Sequence, residues 1–237
     1  MSLLEAFLDL LFPPKCPFCG KVLDRTGICP ECEKALPWTT EAQCLRMLPG
    51  GTRCAAPLWY EDLAREGLLR FKFQGVSAAA EPLGALIAQC AAEQFSGEFD
   101  TVTWVPVSRK RLRERGYDQA ELLARAACRL WDTKPVRLLE KSTDNPAQSG
   151  LTEAAARRAN VLGVYEAYGP DIIRGRRILL VDDICTTGAT LSECVRVLKD
   201  AGAEEVVCAA VALTRETRRK EARIGKEYGC NRQNLPL

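Results

Sequence analysis

Two groups of residues in this sequence have the types and spacing to do chemistry. The first is four cysteines in "CPFCGKVLDRTGICPEC", spaced Cys16-x2-Cys19-x9-Cys29-x2-Cys32. Two CxxC turns bring four thiolates to one point, which suits a tetrahedral structural zinc. Gly20 follows the second cysteine, where a knuckle turn needs a permissive backbone. With all four positions filled by protein, such a metal supports folding and does no catalysis. An iron–sulfur cluster, or thiols that are simply buried, are the alternatives. Cys44 and Cys54 lack the CxxC turn and are read as non-ligands.

The second group lies in "RILLVDDICTTGAT", which begins at Arg177. Residues 177–181 form an apolar strand from Ile178 on, and Asp182 and Asp183 emerge at its carboxyl end. Open α/β sheets bind ligands there. Thr186, Thr187, Gly188, Ala189 and Thr190 turn into a helix, whose unpaired N–H groups and positive dipole end suit a phosphate. No lysine follows the glycine, so this is not a Walker A loop, nor is it GxGxxG. Carboxylates beside that loop would repel a phosphate but suit sugar hydroxyls. Hydroxyls on one side and a phosphate on the other describe a ribose 5-phosphate. A helix N-cap beside an unrelated acidic pair is the plainer alternative.

The totals narrow the field. Of 237 residues none is histidine, which excludes Ser-His-Asp catalysis, HExxH chemistry and zinc sites with His ligands. The net charge of +2 predicts no general attraction to nucleic acid or membrane. Six of the twelve cysteines fall between residues 16 and 54, a metal module followed by ordinary buried thiols. The start, "MSLLEAFLDLLFPPKC", has no basic region, carries Glu5 and Asp9, and breaks at Pro13-Pro14. It does not read as a signal peptide and is too short to span a membrane, so a cytoplasmic protein without stable membrane insertion is expected. Leu3, Leu4, Phe7, Leu8 and Leu11 share one face of a short amphipathic helix.

The elements that must position these groups follow from pattern. "YEDLAREGLLRFKF" reads as a helix, and Glu81-Pro82 opens another that runs to about Phe95. "TVTWVPV" reads as a strand, followed by a polar basic loop and a helix from Tyr117 to Trp131. "VRLLE" and "VLGVYEAY" are strand-like. A helix over 188–201, ended by Gly202, and a strand over 206–213 close the pattern. Strands alternating with helices predict an α/β fold with a parallel sheet. The expected division is a helix plus zinc module over 1–54, an α/β domain over 55–220 and a polar tail over 221–237.

"ILLVDDICTTGAT" resembles the binding signature of type I phosphoribosyltransferases. "FKFQG" (Phe71 to Gly75), "VPVSRKRLRERGYDQAELLA" (Val105 to Ala124) and "PAQSGLTEAAARRANVLGVY" narrow the match to the ComF family. That family joins a four-cysteine zinc module to a phosphoribosyltransferase domain, and many members are associated with DNA uptake in natural competence. The resemblance implies 5-phosphoribosyl 1-pyrophosphate, with magnesium on its pyrophosphate, as ligand. It puts Asp182 and Asp183 on the ribose hydroxyls and Thr186 to Thr190 on the 5-phosphate. Ser108, Arg109 and Lys110 fall on the pyrophosphate, and residues 141–160, with Gln148, Arg157 and Asn160, form a lid.

Two function classes stay open. One is a magnesium-dependent transferase, in which Asp183 is the candidate for an acid–base role because histidine is absent. The other is a protein that senses the ribosyl ligand, or handles single-stranded DNA together with competence and DNA-processing proteins. "SRKRLRERG" carries five positive residues against one negative, so pyrophosphate, a DNA backbone and a merely solvated basic face all fit it.

Overall fold

The computed structural model describes residues 13–73, 77–142 and 163–215. The expected N-terminal helix, the lid from residue 143 on with Gln148, Arg157 and Asn160, and the tail over 221–237 lie outside the described residues. The helices are α1 (Pro30–Ala35), α2 (Asp62–Phe73), α3 (Ala80–Gln94), α4 (Arg109–Arg115), α5 (Gln119–Leu130), α6 (Pro170–Ile173) and α7 (Ala189–Asp200). The strands are β1 (Leu45–Met47), β2 (Arg53–Ala55), β3 (Leu58–Trp59), β4 (Thr101–Trp104), β5 (Leu139–Lys141), β6 (Tyr165–Ala167), β7 (Arg177–Cys185) and β8 (Glu205–Leu213).

One sheet runs in the order β1-β2-β8-β7-β4, with β3 also on β8. Its pairs are parallel except β1 with β2. The expected α/β fold with a parallel sheet is thus present. The sequence of β8, "EVVCAAVAL", is buried from Val206 to Leu213. Such an unbroken apolar run belongs to a parallel strand covered on both faces. Alternate residues feed two cores. Leu179, Val181, Val207 and Ala209 join Leu83 and Ile87 of α3 and Leu123 of α5. Ile178, Leu180, Val206 and Cys208 join Leu191, Cys194 and Leu198 of α7.

Four features depart from the sequence expectation. First, β7 does not stop at the aspartates. Its ladder with β8 continues through Asp182↔Ala210 to Cys185↔Leu213. The apolar partner strand carries the polar stretch along. Second, β4 ends at Trp104, with one more link from Val105 N to Val181 O at 3.0 Å. Pro106 then has no N–H to continue a ladder. Third, the basic segment is a helix, α4. It lacks an apolar face, and its ends are set by Ser108, which caps it, and by Gly116 in the left-handed conformation. Fourth, β2 pairs with β8 through Cys54↔Cys208 and Ala55↔Ala209. The sheet therefore spans the expected boundary at 54/55 and takes β1 and β2 from the cysteine-rich segment.

The cysteine module docks on α2. Phe18 is fully buried, and a Cβ on Gly67 would lie 2.6 Å from Phe18 Cδ1, so only glycine fits that helix position. Cys16, Cys29, Cys32 and Phe18 share a core with Leu68 and Phe71 of α2. Among the described residues no helix is long and apolar enough to cross a membrane.

Candidate functional site

Where β4 leaves the sheet and β7 runs on, a cleft of about 350 Å³ opens at the carboxyl ends of both strands. Asp182, Asp183, Thr186 and Thr190 line it from β7 and the following loop. Val105 to Val107 line it from the exit of β4, Arg111 and Arg115 from α4, and Lys72 from the end of α2. Tyr60, Gln119, Lys141 and Tyr165 complete the wall. Lys141 and Tyr165 belong to the β5–β6 pair, where the Lys141 ammonium stands 5.2 Å from the ring centre.

The two aspartates have different surroundings. Lys72 Nζ lies 2.9 Å from Asp183 Oδ2. Burial would lower the Lys72 pKa, but the Asp183 carboxylate outweighs it and the value rises, so the ammonium stays charged. Asp182 has no such partner at contact distance among the described residues. Its Oδ1 accepts the N–H of Asp183 at 2.8 Å. Burial, then the neighbouring Asp183 charge, push its pKa well above the ordinary carboxylate value. Lys72 is held in place by its own helix end. Tyr117 OH donates to Phe71 O at 2.7 Å and Gln119 Nε2 to Lys72 O at 3.4 Å.

The Thr/Gly segment forms the start of α7. Gly188 occupies the cap position at φ +74°, a conformation that favours glycine. Thr187 Oγ1 accepts the N–H of Ala189 at 3.4 Å, and Ala189 is the first helical residue. Thr186 and Thr190 face the cleft; Thr187, Gly188 and Ala189 are not among its lining residues.

The basic helix splits the cations expected on the pyrophosphate. Ser108 is buried, and its hydroxyl accepts the N–H of Arg111 at 3.3 Å. Arg109 and Lys110 are exposed and do not line the cleft. Arg111 and Arg115, one helical turn apart, do. Arg115 also donates to Gln119 Oε1 at 3.1 Å and stacks 5.2 Å over the Phe73 ring. Asp118 caps α5 and accepts the N–H of Val107 at 2.9 Å, which fixes the path from β4 to α4. Sequence reasoning missed Lys72 as a site residue, although it lies within the quoted "FKFQG". A lysine between two phenylalanines reads as a solvated charge until its helix is placed.

A larger cavity, about 650 Å³, lies at the amino ends of β4 and β7, between Thr101, Trp131 and Arg176. Ligands of open α/β sheets sit at the carboxyl ends, so the smaller, charged cleft is the candidate site.

The four cysteines form a second centre. Their sulfurs all lie within 4.8 Å of one another, with Cys19 and Cys29 at 3.6 Å. A tetrahedral zinc about 2.3 Å from each sulfur needs sulfurs roughly 3.8 Å apart, so the set fits. Cys29 Sγ also accepts the N–H of Cys32 at 3.4 Å. Burial works against ionising Cys16, but backbone N–H groups of Cys29, Cys19 and Phe18 outweigh it and bring its thiol to about 7. Cys44 and Cys54 stand outside this cluster, which is the only such group among the described residues.

The phosphoribosyl transferase domain model matches residues 114–233, half of the sequence. The chain belongs to the phosphoribosyl transferase domain family. A double zinc ribbon domain model matches residues 7–66 of this phosphoribosyl transferase domain protein, over the four-cysteine module. The chain is 27% identical over 187 residues to the competence protein ComFC of Bacillus subtilis, covering 79% of this chain and 72% of that one. To the DNA utilization protein YhgH of Escherichia coli it is 27% identical over 205 residues, with 81% and 86% covered. These relatives bear out the resemblance to the ComF family. A solved orotate phosphoribosyltransferase of Mycobacterium tuberculosis is 18% identical, covering 83% of this chain and 87% of that one, at a TM-score of 0.36.

Substituting Cys16 or Cys32 with Ser should release zinc and unfold the module, read by metal analysis of the purified protein together with thermal unfolding. Unchanged metal content in both variants would count against the site. For the aspartates, opposite effects are expected. The raised pKa of Asp182 means that folding disfavours its ionised form, so stability is lost as pH rises through the carboxylate range. Asp182→Asn should therefore raise the melting temperature at pH 7. Asp183→Asn strands the Lys72 ammonium and should lower stability by about 1–3 kcal/mol. Equal shifts in the two variants would refute the asymmetry.

Proposed function

We propose that the cleft binds 5-phosphoribosyl 1-pyrophosphate, or a related ribose 5-phosphate ester, as its magnesium complex. The observation that carries this reading is one cleft holding an acidic pair, a Thr-lined helix start and four cations, Lys72, Arg111, Arg115 and Lys141. Asp182 and Asp183 take the ribose hydroxyls. The segment Thr186, Thr187, Gly188, Ala189 and Thr190 takes the 5-phosphate through backbone N–H and hydroxyl donors. Arg111 and Arg115 take the pyrophosphate, because guanidinium forks match its oxygens and both groups face the cleft. Ser108 starts their helix, and Arg109 and Lys110 add positive charge at its outer side.

As a transferase the protein would act by positioning and charge stabilisation. The bond from the anomeric carbon to pyrophosphate breaks, and pyrophosphate leaves with the electron pair. A bond to a nitrogen acceptor forms in its place, through an oxocarbenium-like transition state. Arg111, Arg115 and Lys72 offset the charge that grows on the leaving group. Asp183 lies beside the ribose face, where it holds a hydroxyl and can relay a proton. Magnesium arrives chelated to the pyrophosphate, as part of the substrate.

The names of the relatives tie them to competence and to DNA utilization. We extend that setting to this chain and place it in the cytoplasm, where its thiols stay reduced. A second reading, direct contact with single-stranded DNA, is favoured by one observation. Arg109, Lys110 and Arg113 of α4 are exposed and lie outside the cleft lining. A non-catalytic ligand sensor on the same fold remains the alternative to a transferase.

Calorimetry with 5-phosphoribosyl 1-pyrophosphate and magnesium should show binding that is lost in the Asp182→Asn, Asp183→Asn double variant. No binding by the wild type sinks the assignment. Pyrophosphate release with one member of a nucleobase panel supports the transferase, and binding without release supports the sensor. For DNA, affinity for an oligothymidine should fall with salt. The log–log slope should flatten by about two when Arg109, Lys110 and Arg113 become alanine, at roughly 0.7 per phosphate contact. An unchanged slope removes α4 as the DNA contact.

A further inference from the structure

We propose that Arg46 is a positioning residue that sets the orientation of the 5-phosphate loop from behind. The inference rests on the ligand reading above but concerns a residue outside the cleft lining, on the edge strand that the cysteine-rich segment adds to the sheet.

Arg46 is the central residue of β1, paired with Cys54 of β2. Its neighbours Leu45 and Met47 are exposed, while Arg46 itself is half-buried. An inward-pointing charge on an edge strand is a known device against edge-to-edge association. That account leaves the destination of the guanidinium unexplained. Besides lying beside the Cys185 thiol, it reaches backbone carbonyls at the end of β7, in the following loop and after β8. Nη1 donates to Thr186 O at 2.7 Å and to Cys185 O at 3.4 Å, and Nη2 donates to Thr214 O. Thr214 secures the same carbonyls, through its N–H to Cys185 O at 3.1 Å and its hydroxyl to Thr186 O at 3.3 Å.

Peptide geometry converts these contacts into a statement about the cleft. In a planar trans peptide, C=O and the next residue's N–H point in opposite directions. Drawing the carbonyls of Cys185 and Thr186 toward Arg46 therefore turns the N–H groups of Thr186 and Thr187 away from it. Neither N–H has an acceptor among the described residues. Two adjacent donors fixed this way form the kind of backbone concavity that receives an anion. The same hairpin also presses on the other end of the loop: a Cβ on Gly188 would lie 2.6 Å from Leu48 Cδ2. Arginine is suited to this role because its rigid fork reaches three acceptors at once, which a lysine ammonium on a flexible stem does not.

The test compares wild type, Arg46→Ala and Arg46→Lys by calorimetry with two probes: ribose 5-phosphate, and inorganic pyrophosphate with magnesium. Zinc content and melting temperature are measured alongside. Loss of charged hydrogen bonds behind the loop should weaken ribose 5-phosphate by about tenfold or more in Arg46→Ala. Arg46→Lys should fall between, and pyrophosphate affinity should hold within about twofold, inside the error expected for a distant independent site. Wild-type affinity for ribose 5-phosphate in both variants overturns the proposal. So does an equal loss of both probes with a lowered melting temperature, which marks a merely structural residue. If Arg46→Ala does not fold, Arg46→Lys decides by the same comparison. If the wild type binds neither probe, the ligand reading itself fails, and the role assigned to Arg46 falls with it.

Discussion

Two adjacent carboxylates toward the carboxyl end of a largely buried strand are an electrostatic burden, and much of this structure follows from how they are held. The ion pair between Lys72 and Asp183 offsets one of them. Lys72 can reach Asp183 because α2 ends at the cleft, tied down by Tyr117 and Gln119. In turn α2 is packed at its middle by Phe18 of the cysteine module. The cysteine module thus packs on the same helix whose end carries Lys72 to the cleft. Asp182, left without a cation at contact distance among the described residues, is pushed well above the ordinary carboxylate value by burial and by its neighbour.

The cysteine spacing, the alternation of strands and helices, and the acidic strand with its Thr/Gly turn were legible in the sequence because each is a local pattern. What was not legible depends on partners far along the chain. Asp182 and Asp183 look like a strand end, yet the apolar run of β8 carries β7 on to Cys185. The stretch "RKRLRER" has no apolar face and reads as a loop. Its helix is set by Ser108 and Gly116, and only its three-dimensional placement separates Arg111 and Arg115 from Arg109 and Lys110. Lys72 and Arg46 carry no motif of their own. Each becomes informative only through the atom that its long side chain reaches.

The segment from Thr186 to Thr190 shows how a short polar stretch acquires a fixed shape. One side is open to the cleft through Thr186 and Thr190. The other is bonded by Arg46 and Thr214, which come from opposite ends of the described sequence. A loop bonded on one side only presents its free donors without having to reorganise when a charge arrives.

The pairing of Cys54 with Cys208 bears on how the chain is made. The cysteine module precedes the β1–β2 hairpin and draws its four sulfurs from one short segment. The hairpin that follows it must wait for β8, more than half the sequence away, before its edge is paired. Arg46 also reaches Thr214, which directly follows β8, so its full set of carbonyl contacts waits for that strand as well. Formation of the cleft is thereby tied to a long-range pairing, and a fragment that ends before β8 would leave the β1–β2 hairpin without the strand it docks on.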